Sequence, residues 1–204
     1  MKKIFFAATC LFFLNSYGQD STATFDGKKW EAPYHLDTPN GWDVERFLIP
    51  INFAPSIPYK GVEDIRFTPG WAKKASNEYW SYAFLWYLDG KQEFTPSIIE
   101  KNLTAYYSGL FKINTGDTVK SVPVKADIKI SPTQNGDLKT FSGMVYMSDY
   151  MTKKPILLNL LIHVKKCQGQ NKTFVFYEVS PRPYSDTVWN NLHQLWLNFK
   201  CSKE

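Results

Sequence analysis

The chain contains few residues of the types that carry common catalytic or metal chemistry. Its 204 residues include 3 Cys and 3 His, and none of them forms a Cys-x-x-Cys or His-Glu-x-x-His motif. A Gly-rich phosphate loop and a Gly-x-Ser-x-Gly nucleophile elbow are also missing from the sequence. These absences exclude enzymes that depend on those motifs. We therefore predict no catalytic residue, no cofactor and no metal ligand, while a site assembled from distant residues stays open as an alternative.

The three histidines show no ligand spacing. His35, His163 and His193 are scattered over segments that we predict to be an arm, a strand and a helix. His163 alternates with Leu161 and Asn159 in a predicted strand. We expect it to be a partly exposed strand residue rather than a metal ligand.

Strong net charge and long apolar runs are scarce as well. The chain has 24 Lys and Arg against 19 Asp and Glu, which gives a net charge of +5. This excess is too mild to favour a nucleic-acid partner. No apolar run beyond Leu14 approaches the roughly 20 residues that cross a bilayer, so we predict no transmembrane segment in the mature chain.

The first residues have the layout of a secretory signal peptide. Met1-Lys2-Lys3 is a basic start, an apolar run extends from Ile4 to Leu14, and small residues follow it. Cleavage after Gly18 or Gln19 fits this layout. A lipoprotein with its lipid on Cys10 is the alternative, although Ala7-Ala8-Thr9 fits that signal poorly. The signal peptide at 1–19 predicts export to the periplasm or the extracellular space.

Two cysteines remain in the exported chain. Cys167 follows a predicted strand and Cys201 follows the last predicted helix. In an oxidising compartment such a pair favours a disulfide slightly over two free thiols. A bridge between Cys167 and Cys201 would fix the last helix to the sheet.

Aromatic residues are abundant, at 17% of the chain with 7 Trp. Tyr79–Leu88 alternates with period two, which is typical of a strand. One face of this strand is bulky and carries Trp80, Tyr82, Phe84, Trp86 and Leu88. The other face is lighter, and Asp89-Gly90 ends the strand with a turn. A sheet-rich core explains these aromatics better than a stacking surface for a flat ligand does.

Two amphipathic helices are predicted. Thr95 and Pro96 suit the N-cap and first position of a helix whose apolar face is Ile99, Leu103, Tyr106 and Leu110. Ser185 suits the cap of a final helix whose apolar face is Val188, Leu192, Leu195 and Phe199.

Further strands are predicted at 64–68, 122–130, 140–147, 156–164 and 173–179. Pro and Lys on the outer side of 122–130 favour a sheet edge. The sequence thus predicts a signal peptide at 1–19, an irregular arm at 20–44 and a single α+β domain at 45–204. We expect a mostly antiparallel sheet with both helices packed on one face. Each half of the chain has the same outline of strands, a Pro-containing break and one helix. Either a distant internal duplication or chance explains this similarity.

Several local motifs resemble a family of small secreted bacterial proteins of unknown function. They are Phe53-Ala54-Pro55-Ser56, the run from Gly61 to Trp71, Tyr79-Trp80-Ser81-Tyr82, Tyr106-Tyr107-Ser108-Gly109-Leu110, Lys154-Pro155-Ile156, and Ser180-Pro181-Arg182-Pro183 ahead of Trp189. The end of the signal peptide looks like those of Bacteroidetes. The resemblance implies an exported or envelope location and no particular activity.

Six residues are candidates for binding a ligand. Glu63 and Arg66 cluster beside Trp71, although an ion pair that fastens a loop explains the charges more simply. The lighter face of the aromatic strand presents Tyr79 and Tyr87. The sixth candidate, Arg182, is held on a stiff segment between two prolines and is either an ion-pair partner or an anion contact.

Two functional classes are consistent with the sequence. The first is a binding or accessory module of the cell envelope, which would recognise a small ligand through an aromatic cleft or an envelope protein through a sheet edge. The alternative is an exported hydrolase with dispersed catalytic residues. The missing catalytic motifs favour the binding module. A deep pocket that joins Glu63 or Asp149 to a histidine would favour the enzyme.

Overall fold

The computed structural model describes residues 25–133 and 136–202, and the predicted signal peptide lies outside them. Within these residues the chain forms seven strands and two helices. The strands are Asp43–Ile49 (β1), Gly61–Phe67 (β2), Tyr82–Asp89 (β3), Lys125–Ser131 (β4), Lys139–Ser148 (β5), Pro155–Lys165 (β6) and Lys172–Ser180 (β7). The helices are Pro96–Thr115 (α1) and Val188–Leu197 (α2).

All seven strands lie in one antiparallel sheet with the order β1-β2-β3-β7-β6-β5-β4. The prediction of a mostly antiparallel α+β fold is confirmed. The sheet consists of two meanders, β1 to β3 and β4 to β7, and we call the pairing of β3 with β7 the seam between them. Helix α1 carries the chain from β3 to β4 at the far edge, where Pro and Lys had predicted an edge strand.

Strand β3 begins at Tyr82, three residues later than the alternation of Tyr79–Leu88 predicts, but it has the two unequal faces that the alternation predicts. Phe84 and Trp86 are fully buried in the larger core cluster, together with the apolar face of α1. Ala83 and Leu85 are equally buried, but in a second cluster that contains α2. Both faces of this central strand are therefore covered.

Helix α1 begins as the sequence predicts. The Thr95 hydroxyl accepts a hydrogen bond from the Ile98 backbone N–H at 3.3 Å, and Pro96 occupies the first turn. Farther along the helix, a Cβ on Gly109 would lie 1.8 Å from the Phe53 carbonyl oxygen. Glycine at this position therefore lets the segment after β1 approach α1 closely.

The prediction that both helices pack on one face is wrong. Leu103 of α1 belongs to the cluster of Phe84, whereas Leu192 of α2 belongs to the cluster of Leu85. Because successive strand residues point to opposite faces, the helices cover opposite faces of the sheet. An apolar stripe on a helix indicates that the helix packs against the sheet, but it does not indicate which face of the sheet it covers. The final helix also begins at Val188, after a Thr187 cap without a side-chain hydrogen bond, and not with Ser185 as its cap.

The same finding bears on the internal duplication. A two-fold axis perpendicular to the sheet would relate β3 to its antiparallel neighbour β7, and it would leave each helix on the same face. The helices lie on opposite faces, so the arrangement does not support two symmetric copies.

The segment before β1 packs against α2 and the end of the chain. Strand β1 begins at Asp43, two residues inside the predicted arm. Tyr34 is buried with α2, and the backbone of His35 pairs with that of Lys200. The structure joins Cys167 to Cys201 through a disulfide with a Cα–Cα distance of 5.7 Å. This bridge ties the chain after α2 to the chain after β6.

Neither helix of the described residues has the length and hydropathy that a membrane crossing requires.

Candidate functional site

A partly open cavity of about 190 Å³ lies on the α1 face, beside strands β1 and β2. Eight aromatic side chains, two aliphatic ones and two polar ones line it. The aromatic residues are Phe47, Phe53, Phe67, Trp71, Trp80, Tyr82, Tyr106 and Tyr150; the others are Ile65, Leu110, Glu45 and Asn114. The wall is therefore built almost entirely of ring faces and edges.

Ring contacts fix this wall in place. Trp71 stacks on Phe67 with centroids 4.3 Å apart. Phe53 meets Tyr106 of α1 edge-on at 5.2 Å, which the close approach at Gly109 allows. Trp80 meets Tyr150 edge-on, also at 5.2 Å. Residues from β2, α1 and three loops thus converge on one space.

One wall residue has an unusual backbone. Trp80 has a φ of 56°, which is rare for a bulky side chain and costs about 1–3 kcal/mol. Its backbone N–H donates to the Trp71 carbonyl at 2.8 Å, and Arg182 Nε donates to the Asn77 carbonyl at 2.9 Å. These contacts hold the loop between β2 and β3 in the shape that places Trp71 and Trp80 at the cavity.

The polar lining residues are the exposed ones. Glu45 on β1 and Asn114 near the end of α1 are both exposed, while Trp80 and Tyr82 are buried. The cavity therefore has a carboxylate and an amide at its mouth and rings inside. Aromatic faces carry partial negative charge, so the rings inside the cavity attract a cation, as the carboxylate at its mouth does.

Glu63 lies behind the cavity wall. Its carboxylate accepts hydrogen bonds from Tyr106 Oη at 2.7 Å and Trp86 Nε1 at 3.1 Å, and it is fully buried. Burial raises the pKa of Glu63 to about 8, against the lowering effect of these two hydrogen bonds. Among its partners no positive charge offsets the burial of this carboxyl group.

The structure does not bring the six predicted ligand residues together. Trp71 lines the cavity, and Glu63 touches it only through Tyr106. The other four lie elsewhere. Tyr79 Oη donates to Asp149 at 2.6 Å, Arg182 binds the loop at Asn77, and Arg66 and Tyr87 face the opposite side of the sheet.

Arg66 belongs to a buried ionic cluster with Asp64. The Asp64 carboxylate also accepts from Arg46 Nε at 2.8 Å and from Tyr34 Oη at 3.0 Å. Arg66 in turn donates from Nη2 to the Leu36 carbonyl at 3.2 Å. The cluster fastens the segment before β1 to β2. The sequence favoured such a fastening ion pair between Arg66 and Glu63, but the partner of Arg66 is Asp64, and Glu63 bonds to Tyr106 and Trp86 on the α1 face.

A second polar cluster lies on the α2 face and includes His163. This residue is fully buried, so the prediction of a partly exposed strand histidine is wrong. Its Nδ1 lies 2.7 Å from Asp137 Oδ2, and its Nε2 lies 3.1 Å from Glu178 Oε1. The same Glu178 oxygen is 2.8 Å from His193 Nδ1. Burial opposes charge on His163, but its hydrogen bonds with Asp137 and Glu178 outweigh that effect and raise its pKa.

Sequence reasoning missed this second cluster because its members lie on four segments. In the β6–β7 pairing His163 is opposite Phe176, so Glu178, two residues on, is its diagonal neighbour on the same face. Antiparallel pairing of the predicted strands 156–164 and 173–179 is the signal that could have found the contact, since it brings the histidine of one strand close to the glutamate of the other. Nothing in the local sequence places His193 of α2 above them.

Comparisons of the chain with protein-family models, curated proteins and solved structures find no match. The resemblance to secreted bacterial proteins therefore stays a prediction.

Proposed function

We propose that the protein is an exported binding module of the bacterial cell envelope whose α1-face cavity binds a small organic cation with an apolar body. The observation that carries the proposal is the aromatic cavity, which is open to solvent on one side and has one carboxylate at its mouth. Export rests on the basic and apolar start of the sequence. Binding rests on the site alone.

The size of the cavity sets the size of the ligand. A cavity of ~150 Å³ in another protein holds one benzene molecule. The volume of about 190 Å³ in this chain suits a single ring or a trimethylammonium group with a short tail. It is too small for a disaccharide, and none of the seven Trp is exposed as a sugar platform would require.

The charge of the lining favours a cation over a neutral ligand. Eight rings surround the space and only Glu45 contributes a formal charge to it. A quaternary ammonium over aromatic faces gains ~0.5–2 kcal/mol from the ring quadrupoles. An exposed carboxylate at the mouth adds attraction that salt screens.

Backbone strain at Trp80 supports a role for this cavity beyond packing. A residue keeps a strained backbone conformation only when its surroundings hold it there. Such residues cluster at the sites where proteins bind ligands. Trp80 is held by the Trp71 carbonyl and packs on Tyr150, and both partners also line the cavity. The strain thus falls on the residue that completes the aromatic wall.

The hydrolase alternative has less support on this face. The described hydrogen-bond partners of Glu63 are Tyr106 and Trp86, and those of Asp149 include Tyr79 and Thr152. Neither carboxylate is joined to a histidine among the described contacts. A binding module accounts for the aromatic wall without a nucleophile.

A pair of matched ligands tests the proposal. Choline and its neutral isostere 3,3-dimethylbutan-1-ol have nearly the same shape and differ in charge. We expect choline to raise the melting temperature of the purified protein more than the alcohol does. A ligand at 100 times its Kd adds about 2.7 kcal/mol to the free energy of unfolding.

Three variants locate the effect. Trp71→Ala opens the wall and should abolish the shift, and Glu45→Gln should weaken choline binding without affecting the alcohol. Trp30→Ala, a half-buried Trp on the opposite face, is the control and should bind as the wild type does. If neither compound shifts the melting temperature at millimolar concentration, the ligand class is wrong. Equal binding of the two compounds would refute the preference for a cation.

A further inference from the structure

We propose that His163, Glu178 and His193 bind a divalent transition-metal ion on the α2 face, with Zn²⁺ the best fit to the ligands. Each residue offers one ligand atom, and these atoms all lie within 4.8 Å of one another. Two imidazoles and a carboxylate are a donor set that Zn²⁺ takes in proteins. The site lies on the other side of the sheet from the aromatic cavity and does not depend on the function proposed for that cavity.

The distances between the ligand atoms are close to those of a metal site. Zn²⁺ binds histidine nitrogen and carboxylate oxygen at about 2.0–2.2 Å, so neighbouring ligands of a tetrahedron stand roughly 3.4 Å apart. Glu178 Oε1 lies 3.1 Å from His163 Nε2 and 2.8 Å from His193 Nδ1. Both distances are shorter than that spacing, so the carboxylate would move away from the two imidazoles to admit an ion between them.

Asp137 orients the buried histidine in the way that metal sites require. A histidine ligand usually donates its second ring N–H to a carboxylate, which fixes the tautomer and leaves the other nitrogen for the metal. Asp137 Oδ2 is that acceptor for His163 Nδ1 at 2.7 Å. Thr140 Oγ1 at 2.9 Å and Trp196 Nε1 at 2.9 Å hold the carboxylate in turn.

The carboxylate of Glu178 is a second, independent observation that points to a ligand at this site. Its carboxylate is fully buried, and Oε2 has no hydrogen-bond partner among the described residues. An unsatisfied buried carboxylate oxygen is costly. Because Oε1 already faces both imidazoles, an ion placed between them would also lie near this second oxygen.

The charges fit a divalent ion. Asp137 and Glu178 place two carboxylates with fully buried side chains beside His163. Lys165 stands at the rim, with Nζ 4.5 Å from the Trp196 ring centroid, and offsets part of the negative charge. A divalent ion at the histidines would offset the rest from inside the cluster.

The surface of α2 provides access. His193 has 27% of its side chain exposed, while His163 and Glu178 are fully buried. An ion can therefore enter at His193 with little rearrangement of the core. Three protein ligands leave a fourth position of the tetrahedron for water or an exchangeable group.

Metal titration of the chelator-treated protein tests the site. Zn²⁺ at pH 7.5 should bind with a stoichiometry of one in calorimetry, and Co²⁺ should give the visible absorption of a four-coordinate ion with histidine ligands. His193→Ala should weaken binding at least tenfold and abolish that absorption. Asp137→Asn should weaken it about 10–100-fold, because the carboxylate only orients His163.

His35→Ala is the matched control, since His35 lies before β1 and bonds to Asp37. It should bind Zn²⁺ and Co²⁺ as the wild type does. Because His193 is partly exposed, its variant should keep the fold, which circular dichroism checks. If His193→Ala is unfolded, His193→Gln takes its place. Failure to bind one equivalent of Zn²⁺, or equal affinity in His193→Ala and His35→Ala, would overturn the proposal.

Discussion

The two faces of the sheet bury carboxylates of the same type in opposite ways. Glu63 on the α1 face has only neutral donors, Tyr106 and Trp86, among its hydrogen-bond partners. Asp64, the next residue of β2, points to the α2 face and meets the two guanidinium groups of Arg46 and Arg66. Both carboxylates are fully buried.

The difference shows that burial alone does not decide what a carboxylate does. A lone buried carboxyl group is pushed toward its neutral form, whereas a paired one keeps its charge and ties segments together. The α1 face consequently carries an aromatic cavity beside Glu63, a carboxyl group with a raised pKa. The α2 face is a set of charged clusters that hold the segment before β1 and the chain end. Substitutions on one face therefore test different interactions from substitutions on the other.

The largest effect should come from removing the ring at the centre of the α1 face. Phe84 is fully buried and stacks on Tyr177 with centroids 4.3 Å apart and on Tyr106 at 5.5 Å. Phe84→Ala should lower the free energy of unfolding by about 3–5 kcal/mol through the cavity it leaves. Urea unfolding measures this loss. Leu48→Ala on β1, where Leu48 is 50% exposed, should change stability far less; equal losses would mean that the bulky face is not the core.

On the α2 face, Asp64→Asn breaks the charge pairing without changing the size of the side chain. It removes the negative charge that Arg46 and Arg66 share, and Arg66 is 2% exposed. We expect a loss of about 3 kcal/mol, the lower end for a broken buried pair, because the amide oxygen still accepts one hydrogen bond. Asp43→Asn, at the exposed start of β1, should stay within about 0.5 kcal/mol of the wild type. A stable Asp64→Asn variant would show that the ionic cluster adds nothing to the fold.

The same carboxylate-to-amide change should have the opposite sign at Glu63. Its pKa rises from 4.5 to about 8 on folding, so the folded state binds the proton more tightly. That stability is complete below pH 4.5 and is lost as the pH rises toward 8. For this group the loss between pH 5 and pH 8 is roughly 3 kcal/mol. Glu63→Gln should remove this loss and be more stable than the wild type at pH 8.

Urea midpoints at pH 5 and pH 8 measure the difference between wild type and Glu63→Gln. Glu45→Gln is the control, because Glu45 is exposed and acts on Glu63 only through its charge. It should reduce the pH dependence only slightly. An identical pH dependence in the wild type and Glu63→Gln would mean that Glu63 is charged in the folded protein.

Local pattern predicted much of the fold, and for a physical reason. The alternation in Tyr79–Leu88 and the cap at Thr95 depend on neighbours within a few residues, so the sequence displays them directly. The edge position of β4 also follows from its Lys residues and from Pro123 just before the strand. The side of the sheet on which each helix packs depends on the long connections around it, which no local pattern encodes.

The sites were less predictable for the same reason. Trp71 was recognised as a candidate and does line the cavity, but its partners Phe47, Phe53 and Tyr150 come from three separate segments. The aromatic wall and the histidine cluster both require the register of strands far apart in sequence. The local sequence of each strand does not reveal that register.

The seam between β3 and β7 has a consequence for how the chain acquires its fold. Ser81 and Ser180, at one end of the seam, are hydrogen-bonded at 2.8 Å although 99 positions separate them. Each meander can form from local hairpins, but the seam must wait until nearly the whole chain is present, and closing so long a loop is slow. Until then the edge of β3, with its row of aromatic rings, is unpaired and open to association with other chains. Strand β3, which lies in the interior of the finished sheet, is thus the most vulnerable edge of the unfinished one.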